Sequence, residues 1–380
     1  MKFSLSFYDI KINLDINAQE VVTFLKAYFV PFFDWKEEFN ENADCLITVK
    51  VCDPILKSDF INISEFIVDD SKGFLAMKGQ SVNFGSFPCI KLNPMNVLVT
   101  VNNKQHEIVI EGNTEDRLKT PVLRVIEDFT LIEVEKRGGI VLHASGIVVD
   151  SNAVIAVGNK GAGKSSLLCT SLDEFECDKI SNDNIVLVLV NNEIIVRGWP
   201  SFAKLAMGTI ASSRILAPYF PKEKLSLLES TNALWNEYEK VIFYPSQICE
   251  IFGSSIVPEA RLTTLLFPNY STTDIGNFKL ADRRDLMNLL KKNLQGSFNT
   301  KHQNWLQINK VDKKQVLESL DKIFPILEKQ VVCFHVDWGK SLAQLFLEFD
   351  IMRKVNKAFI KCSVAAPRNK WPSLPAIYEM

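Results

Sequence analysis

Residues 153–165 read Ala153-Val-Ile-Ala-Val-Gly-Asn-Lys-Gly-Ala-Gly-Lys-Ser165, which is an apolar run followed by a glycine-rich loop. The loop, Gly158–Ser165, matches the pattern G-x-x-x-x-G-K-S, and a helix-like stretch from Ser165 to Ser171 follows it. Such a loop needs a strand before it and a helix N-terminus after it, because the free N–H groups of the helix face a bound phosphate. Since both flanks are present, the sequence predicts a strand, a phosphate-binding loop and a helix in succession.

Each loop position has a physical role in binding a nucleoside triphosphate. Gly158 and Gly163 let the backbone approach the phosphates, and Lys164 reaches the β- and γ-phosphates. The Ser165 hydroxyl suits the shell of a Mg²⁺ ion. An ordinary glycine-rich turn is the alternative. The predicted cofactors are ATP or GTP with Mg²⁺, and the predicted nucleotide-binding residues are Gly158, Asn159, Lys160, Gly161, Ala162, Gly163, Lys164, Ser165 and Ser166.

The composition is that of an ordinary globular protein, long enough for two domains. Its 380 residues include 43 basic and 45 acidic side chains, which give a net charge of -2. These charges are spread along the chain, so they favour neither a nucleic acid nor an anionic membrane as a partner. The N-terminus alternates polar and apolar residues, and the longest apolar runs have the length of strands. We therefore expect a cytoplasmic protein.

The cysteines and histidines do not indicate a metal centre. The eight cysteines form no C-x-x-C pair, and the four histidines have no partner at ligand spacing. Cys169, Cys249 and Cys333 fall in apolar runs, where buried and reduced thiols are expected.

Periodicity divides the chain into segments of different class. Short alternating runs predict strands at Lys2–Phe7, Ile10–Leu14, Leu46–Val51, Phe60–Ile67, Val97–Val101 and Glu107–Glu111, with one helix at Ala18–Phe29. A longer helix is expected over Thr114–Glu135, with Gly138 and Gly139 at its C-terminus. The predicted fold class is α/β, with a small N-terminal α+β domain at residues 1–135. A nucleotide-binding domain at residues 136–355 and a C-terminal tail at residues 356–380 follow.

Two predicted hairpins surround the loop. Residues 140–157 indicate a strand, a turn at Ser151-Asn152 and a second strand, which leads into the loop. After the loop helix, residues 185–197 indicate another hairpin around the turn Asn191-Asn192. Asp183 precedes this hairpin, where a carboxylate can share a metal ion with the loop serine. A solvated turn residue is the alternative for Asp183.

Three blocks in this order resemble the HPr kinase/phosphorylase family, and most closely its relatives that tailor peptides, such as the kinases of lasso-peptide clusters. The blocks are His143-Ala-Ser145 in the first hairpin, the loop Gly158–Ser165, and Ile180-Ser-Asn-Asp183 before the second hairpin. The resemblance implies a core similar to that of phosphoenolpyruvate carboxykinase. It also implies phosphoryl transfer from a Mg²⁺-nucleotide to a serine hydroxyl of a protein or peptide. Without the resemblance, a histidine in an apolar strand is more typical of a hydrogen-bonded core residue, which is the alternative for His143.

The resemblance further implies roles for single residues. His143 would lie near the phosphates, while Lys164 and Ser165 would hold the nucleotide and the metal. Asp183 matches the second of two adjacent acidic residues, and Asn182 stands where better-known members have the aspartate that takes the proton from the acceptor. An amide cannot serve as a base near neutral pH. Three explanations stay open: Asp183 or His143 is the base, the transfer needs no base, or the protein binds nucleotide without transfer.

Other residues are weaker candidates. Lys240 and Arg261 each adjoin a strand-like run and could clamp a transferred phosphate, with a solvated surface position as the alternative. Residues 199–208 could line an acceptor groove or simply pack in the core. The apolar stripe of residues 313–324 predicts a core-facing helix that ends at Pro325.

The leading hypothesis is a Mg-ATP-dependent kinase acting on a serine or threonine hydroxyl of a peptide or protein, with the tailoring of a peptide natural product as one setting. The N-terminal domain would recognise the acceptor or assist assembly, and relatives that form small oligomers make a homo-oligomer plausible. The alternatives are a kinase for a small-molecule hydroxyl and a nucleotide-binding protein without transfer. A motor ATPase is disfavoured, because no repeated nucleotide domain is visible.

Overall fold

The structure is a computed structural model of the chain, and it describes residues 1–54, 64–69, 77–84, 87–230, 240–270, 277–298, 305–308 and 311–338. Among the described residues two compact units are present, Met1–Ile140 with Gln295–Ser319, and Val141–Leu294 with Leu320–Trp338. The division into three consecutive domains stays a prediction; in the structure, residues 295–319 group with the first unit. The expected tail, residues 356–380, and residues 60–63 of the strand expected at Phe60–Ile67 lie outside the described residues.

The first unit is built on one sheet that takes in the strands before residue 113. These strands are β1 Lys2–Phe7, β2 Ile10–Ile16, β3 Asp34–Lys36, β4 Cys45–Val51, β5 Ser64–Asp69, β6 Met77–Phe84, β7 Phe87–Asn93, β8 Val97–Asn102 and β9 Glu107–Gly112. Their order is β3-β1-β2-β4-β9-β8-β7-β6-β5, and β4 is parallel to both β2 and β9. Helices α1 Gln19–Phe29 and α2 Glu115–Lys136 pack against each other and against the central strands β2, β4 and β9.

The ends of α2 follow from its sequence. The Thr114 hydroxyl accepts a hydrogen bond from a backbone N–H of the first turn at 3.4 Å and thereby caps the helix. At the other end Gly138 has a φ of 81°, and the N–H groups of Gly138 and Gly139 donate to the carbonyls of Glu135 and Val134. These two bonds form a Schellman motif, which favours glycine at the residue with positive φ. The predicted helix and its glycine stop are confirmed.

After α2 the chain forms a second set of strands and helices. The strands are β10 Ile140–Val149, β11 Asn152–Val157, β12 Asp178–Ser181, β13 Asn184–Val190, β14 Glu193–Gly198, β15 Ala203–Ala206, β16 Lys240–Phe243, β17 Glu259–Tyr270, β18 Asn277–Leu280, β19 Leu294–Gln295 and β20 Val332–Trp338. The helices are α3 Lys164–Glu174, α4 Met207–Ser212, α5 Lys222–Ser230, α6 Pro245–Phe252, α7 Arg283–Lys292 and α8 Lys313–Gln330.

Five of these strands form a closed ring. Strands β11, β10, β13, β14 and β17 pair in that order, and β17 also pairs with β11. Strands β20 and β18 extend the sheet from β17, while β15 and β16 form a separate two-stranded ribbon. The combination of large sheets with packed helices agrees with the predicted α/β class.

Both predicted hairpins are confirmed, and each closes through a two-residue turn. Asp150 and Ser151 have φ values of 47° and 65°, and Asn191 and Asn192 have φ values of 49° and 64°. Positive φ at both central residues is typical of a type I′ turn, whose twist matches that of two antiparallel strands. Asn and Asp adopt this conformation more readily than most residues with a side chain. The first turn lies one residue earlier than the expected Ser151-Asn152, because Asn152 already pairs with β10.

An apolar core joins the first hairpin, helix α3 and the β15–β16 ribbon. Burial of one large aliphatic side chain contributes about 1.5–3 kcal/mol, so these contacts hold the ribbon against the helix. The buried side chains of this core include Ile147, Val154, Leu167, Leu168, Leu172, Leu205 and Val241.

Helix α8 corrects one prediction, because it continues through Pro325 to Gln330. Proline removes a backbone hydrogen bond and usually ends a helix, at a cost of about 3 kcal/mol. Here Ile323, Phe324 and Leu327 lie on both sides of the proline, and all three are buried. Burial of these apolar side chains outweighs the cost of the missing bond.

The composition gave expectations about the cysteines and about membrane-spanning segments. Cys169, Cys249 and Cys333 are free and buried, as expected. In the part of the chain that the structure describes, no helix is both long enough and apolar enough to span a membrane. The cytoplasmic location stays a prediction.

Candidate functional site

The glycine-rich loop joins β11 to α3, as the sequence predicts. Gly161 and Gly163 have φ values of 84° and 90°, a region that residues with a Cβ rarely adopt. The Ala162 N–H donates to the carbonyl of Asn159 at 3.1 Å, which folds the loop into a tight turn. A Cβ on Gly158 would lie 3.1 Å from the Cβ of Ala162 and would crowd this turn. The glycines thus shape a compact loop directly before the helix N-terminus.

Lys164 is the first residue of α3, and the loop holds its ammonium group. The residue is 7% exposed, and Nζ donates to the carbonyls of Gly158 at 2.7 Å and Asn159 at 3.0 Å. Burial disfavours the charged form and outweighs the attraction of Asp183, while Lys240 adds repulsion. The pKa of Lys164 therefore falls from its usual 10.5 to about 8. A phosphate at the loop would favour the charged form again.

Two hydroxyl groups fix α3 to its neighbours. The Ser145 Oγ of β10 donates to the carbonyl of Lys164 at 2.9 Å, and the Ser166 Oγ lies 2.7 Å from the Thr209 Oγ1 of α4. Ser166 thus contributes its side chain to packing. Ser165 is partly exposed, so its hydroxyl is the better suited of the two to a metal shell.

His143 and Asp183 meet at the junction of two strands. The Ala144 N–H of β10 donates to the carbonyl of Asp183 at 2.9 Å, and the Nε2 of His143 lies 3.3 Å from the Oδ1 of Asp183. The two side chains are 23% and 54% exposed. Desolvation raises the pKa of Asp183, but the hydrogen bond from His143 outweighs it, together with the positive charges of Lys164 and Lys204. The pKa of Asp183 therefore lies below its ordinary value, and the carboxylate stays ionised.

Asn182 differs from its neighbour Asp183 in its surroundings. Asn182 is 6% exposed, and its Nδ2 donates to the carbonyl of Phe202 at 3.4 Å. The register between β10 and β12 shifts between Gly146 and Ile147, close to this point, and such bulges redirect side chains. The amide of Asn182 is therefore part of the packing, and a catalytic role for Asn182 stays a prediction.

The residues gathered here fit a nucleotide with Mg²⁺. The loop supplies a buried ammonium and a glycine turn before a helix N-terminus, and Asp183 supplies an ionised carboxylate. Among the described residues, no group of three or more His, Cys, Asp or Glu could hold a metal by itself. A Mg²⁺ ion shared with phosphate oxygens needs only one or two protein carboxylates.

Arg261 does not reach the loop. It aligns in register with Asn152 at the start of β11, about 20 Å along the strand from Gly158. Its side chain is 48% exposed, and its guanidinium lies 3.3 Å from the carboxylate of Glu193. The surface position, one of the two alternatives for Arg261, is therefore the one observed.

Sequence reasoning missed Lys204. Within the stretch proposed as a groove wall, Trp199 and Phe202 are buried, which agrees with the packing alternative for these two residues. Lys204 is half-buried on β15, and its charge acts on Asp183. The sequence does contain a signal for it, since Lys204 stands between apolar residues in Ala203–Ala206. A strand directs alternate side chains to opposite faces, so this pattern predicts that the lysine lies on the face opposite the apolar core.

Comparisons with known proteins give only a weak structural similarity. No protein-family model matches the chain, and no curated protein matches it. Among solved structures, the Hpr(Ser) kinase/phosphatase from Coxiella burnetii is similar over 57% of this chain and 95% of that chain, with 11% sequence identity and a TM-score of 0.24. A likeness with so low a TM-score shows neither the fold nor the function of this chain. The closer resemblance to peptide-tailoring kinases and to phosphoenolpyruvate carboxykinase stays a prediction.

The lowered pKa of Lys164 predicts that nucleotide affinity depends on pH. Bound phosphates stabilise the charged ammonium, so above about pH 8 binding must take up a proton. Affinity for Mg²⁺-ATP should therefore fall as the pH rises, by about tenfold between pH 7 and pH 9. Titration calorimetry in two buffers of different ionisation enthalpy measures both the affinity and the proton uptake. In Lys164→Arg the guanidinium stays charged, and an unchanged pH dependence in that variant would contradict the assignment.

The surroundings of Asn182 predict that Asn182→Asp destabilises the protein. The new carboxylate would be buried, and it has no N–H to donate to the carbonyl of Phe202. We expect the free energy of unfolding to fall by about 1–3 kcal/mol, measured by urea denaturation. Asp183→Asn is the matched control, because it exchanges the same groups at an exposed position and should cost less. Full stability together with new turnover in Asn182→Asp would show that the pocket accepts a catalytic carboxylate.

Proposed function

We propose that this protein transfers the γ-phosphoryl group of a Mg²⁺-bound nucleoside triphosphate to a hydroxyl group of a peptide or protein. The observation that carries the proposal is the grouping of three side chains. The charge of Lys164 acts on Asp183, whose Oδ1 lies 3.3 Å from the Nε2 of His143. Phosphoryl transfer depends mainly on positioning and on neutralising phosphate charge. A buried lysine at a phosphate loop and an ionised carboxylate beside it meet these two needs.

The proposed roles divide between binding and proton transfer. Lys164 binds the β- and γ-phosphates, and Ser165 and Asp183 hold Mg²⁺, which when bound neutralises charge on the phosphate oxygens. The Oδ1 of Asp183 contacts His143. The second oxygen of the Asp183 carboxylate can therefore enter a metal shell.

His143 is the proposed base, oriented by Asp183. In the tautomer in which Nε2 donates to Asp183, the lone pair of the ring is on Nδ1. The acceptor oxygen forms a bond to the γ-phosphorus while the bond to the β–γ bridging oxygen breaks, and the nucleoside diphosphate leaves with that electron pair. The hydroxyl proton passes to the imidazole, since a histidine can accept a proton near neutral pH. Asn182 takes no proton, because an amide has no basic site.

A nucleotide-binding protein without transfer is the second candidate, and one observation favours it. The buried Asn182 occupies the position at which the resembled family has its proton-accepting aspartate. The peptide or protein acceptor is supported by the resemblance of the three sequence blocks.

The test follows the nucleotide and the acceptor together. The protein is incubated with Mg²⁺ and ATP or GTP, with and without a peptide pool and cell extract, and both are analysed by chromatography and mass spectrometry. We expect formation of the diphosphate and a matching phosphate-sized mass gain on a peptide or protein. A mass gain on a low-mass metabolite instead would identify a small-molecule kinase. Tight binding without turnover in every condition would leave the second candidate.

A further inference from the structure

The β15–β16 ribbon carries two lysines on one face. Its register pairs Ala206 with Lys240 and Lys204 with Ile242. Directly opposed residues share a face, and so do residues two apart on one strand, so Lys204 and Lys240 are diagonal neighbours on the same face. Both lysines are half-buried. Two cations at this spacing repel each other unless an anion lies near them.

The ribbon is fixed across the candidate site. At the start of β15, the carbonyl of Phe202 accepts the hydrogen bond from Asn182, which adjoins Asp183. Just after β15, Thr209 is bonded to Ser166 of the loop helix. Lys204 therefore lies on a strand that runs from the Asp183 side of the site to the first turns of α3.

The second strand of the ribbon is also anchored. The ring of Tyr244, directly after β16, lies 5.3 Å from the ring of Phe202. The next residue, Pro245, accepts a hydrogen bond at its carbonyl from the buried Nζ of Lys179 at 2.9 Å. Lys240 at the other end of β16 is therefore held on a supported strand, in register with the residue that precedes α4.

The charges of Lys204 and Lys240 act on two residues of the candidate site, Asp183 and Lys164. The positive charge of Lys204 attracts the Asp183 carboxylate, and the positive charge of Lys240 repels the Lys164 ammonium. The ammonium groups of Lys164 and Lys204 thus act on Asp183, and that of Lys240 acts on Lys164. A local excess of positive charge of this kind attracts a multiply charged anion.

We propose that Lys204 and Lys240 bind the γ-phosphoryl group of the bound nucleotide and so make the site selective for triphosphates over diphosphates. The proposal rests on the proposed function, because it takes the loop backbone as the place of the α- and β-phosphates and adds Lys204 and Lys240 to Lys164 at the γ-phosphate. In the transfer, the same two ammonium groups would neutralise the charge of the phosphoryl group as it leaves the diphosphate.

The test compares the affinities of two nucleotides by titration calorimetry with Mg²⁺. The ligands are ADP and the non-hydrolysable triphosphate AMPPNP, so turnover does not affect the result. Lys204→Met and Lys240→Met remove the charge but keep an unbranched apolar side chain, and Lys204→Arg and Lys240→Arg keep the charge. Lys329→Ala is the control, because Lys329 is exposed and far from the candidate site. Its neighbour Gln330 donates a hydrogen bond to the carbonyl of Asn192, in the turn of the β13–β14 hairpin, and this turn lies at the end of the hairpin opposite Asp183.

Each Met variant should bind AMPPNP about tenfold more weakly, with ADP affinity unchanged. The Arg variants should recover most of the loss, and Lys329→Ala should behave as the wild type. Thermal melting of each variant shows that the fold is kept. Equal losses of affinity for AMPPNP and ADP would overturn the γ-phosphoryl assignment. No loss of affinity for either nucleotide would also overturn it, and would indicate that the two lysines bind an anionic group of the acceptor instead. The proposed function can fail independently of this proposal: the wild type would then prefer AMPPNP to ADP but would never transfer phosphate.

Discussion

Lys164→Ala is expected to lower Mg²⁺-dependent nucleotide turnover by a factor of about 10²–10³. The ammonium is buried at the loop, bonded to the carbonyls of Gly158 and Asn159, and in the proposed function it binds the β- and γ-phosphates. Alanine removes this charge from a poorly solvated site, where water replaces it only weakly. The measurement is kcat/KM for diphosphate formation, followed by chromatography.

Lys160→Ala is the matched control within the same loop. Lys160 is exposed, and in the predicted loop it would contact phosphate through its backbone N–H, which alanine keeps, so its substitution should change turnover by only a few fold. Because Lys164→Ala also removes two hydrogen bonds inside the loop, thermal melting must show that the variant is folded. A folded Lys164→Ala protein with wild-type turnover would mean that phosphoryl transfer occurs elsewhere.

Asp183→Asn is expected to reduce turnover by about 10²-fold and to raise the Mg²⁺ concentration needed for half-maximal rate. The substitution keeps the shape of the side chain and leaves an oxygen that can accept from His143, but it removes the negative charge. A neutral amide is a weaker ligand for Mg²⁺ than a carboxylate. Initial rates over a series of Mg²⁺ concentrations, at fixed ATP, separate the two effects.

His143→Gln distinguishes the metal role from the proton role. Glutamine can still hydrogen-bond to Asp183, but it cannot accept a proton near neutral pH. We expect lower turnover with an unchanged Mg²⁺ requirement, because only the proton acceptor is lost. If Asp183→Asn and His143→Gln change the Mg²⁺ requirement equally, the division of roles between the two side chains is wrong.

Much of the local structure could be predicted, because its causes lie within a few residues along the chain. The strand at Lys2–Phe7 follows from alternation, and the end of α2 follows from a glycine that can adopt positive φ. The turn Asn191-Asn192 closes its hairpin as predicted. Pro325 is an exception. A proline usually ends a helix, but α8 continues through Pro325 because apolar side chains on both sides of it are buried.

The sequence by itself determined the glycine-rich loop, its strand and helix, and the position of Asp183 before the second hairpin. These features depend on the conformational freedom of glycine, on side-chain periodicity and on neighbours in the chain. Only the tertiary structure decided that Asn182 is buried against Phe202, and that Lys204 and Lys240 share a face beside the loop. These arrangements depend on strand pairing and burial between segments far apart in the chain, and no pattern within a single segment specifies which distant segment will pack against it.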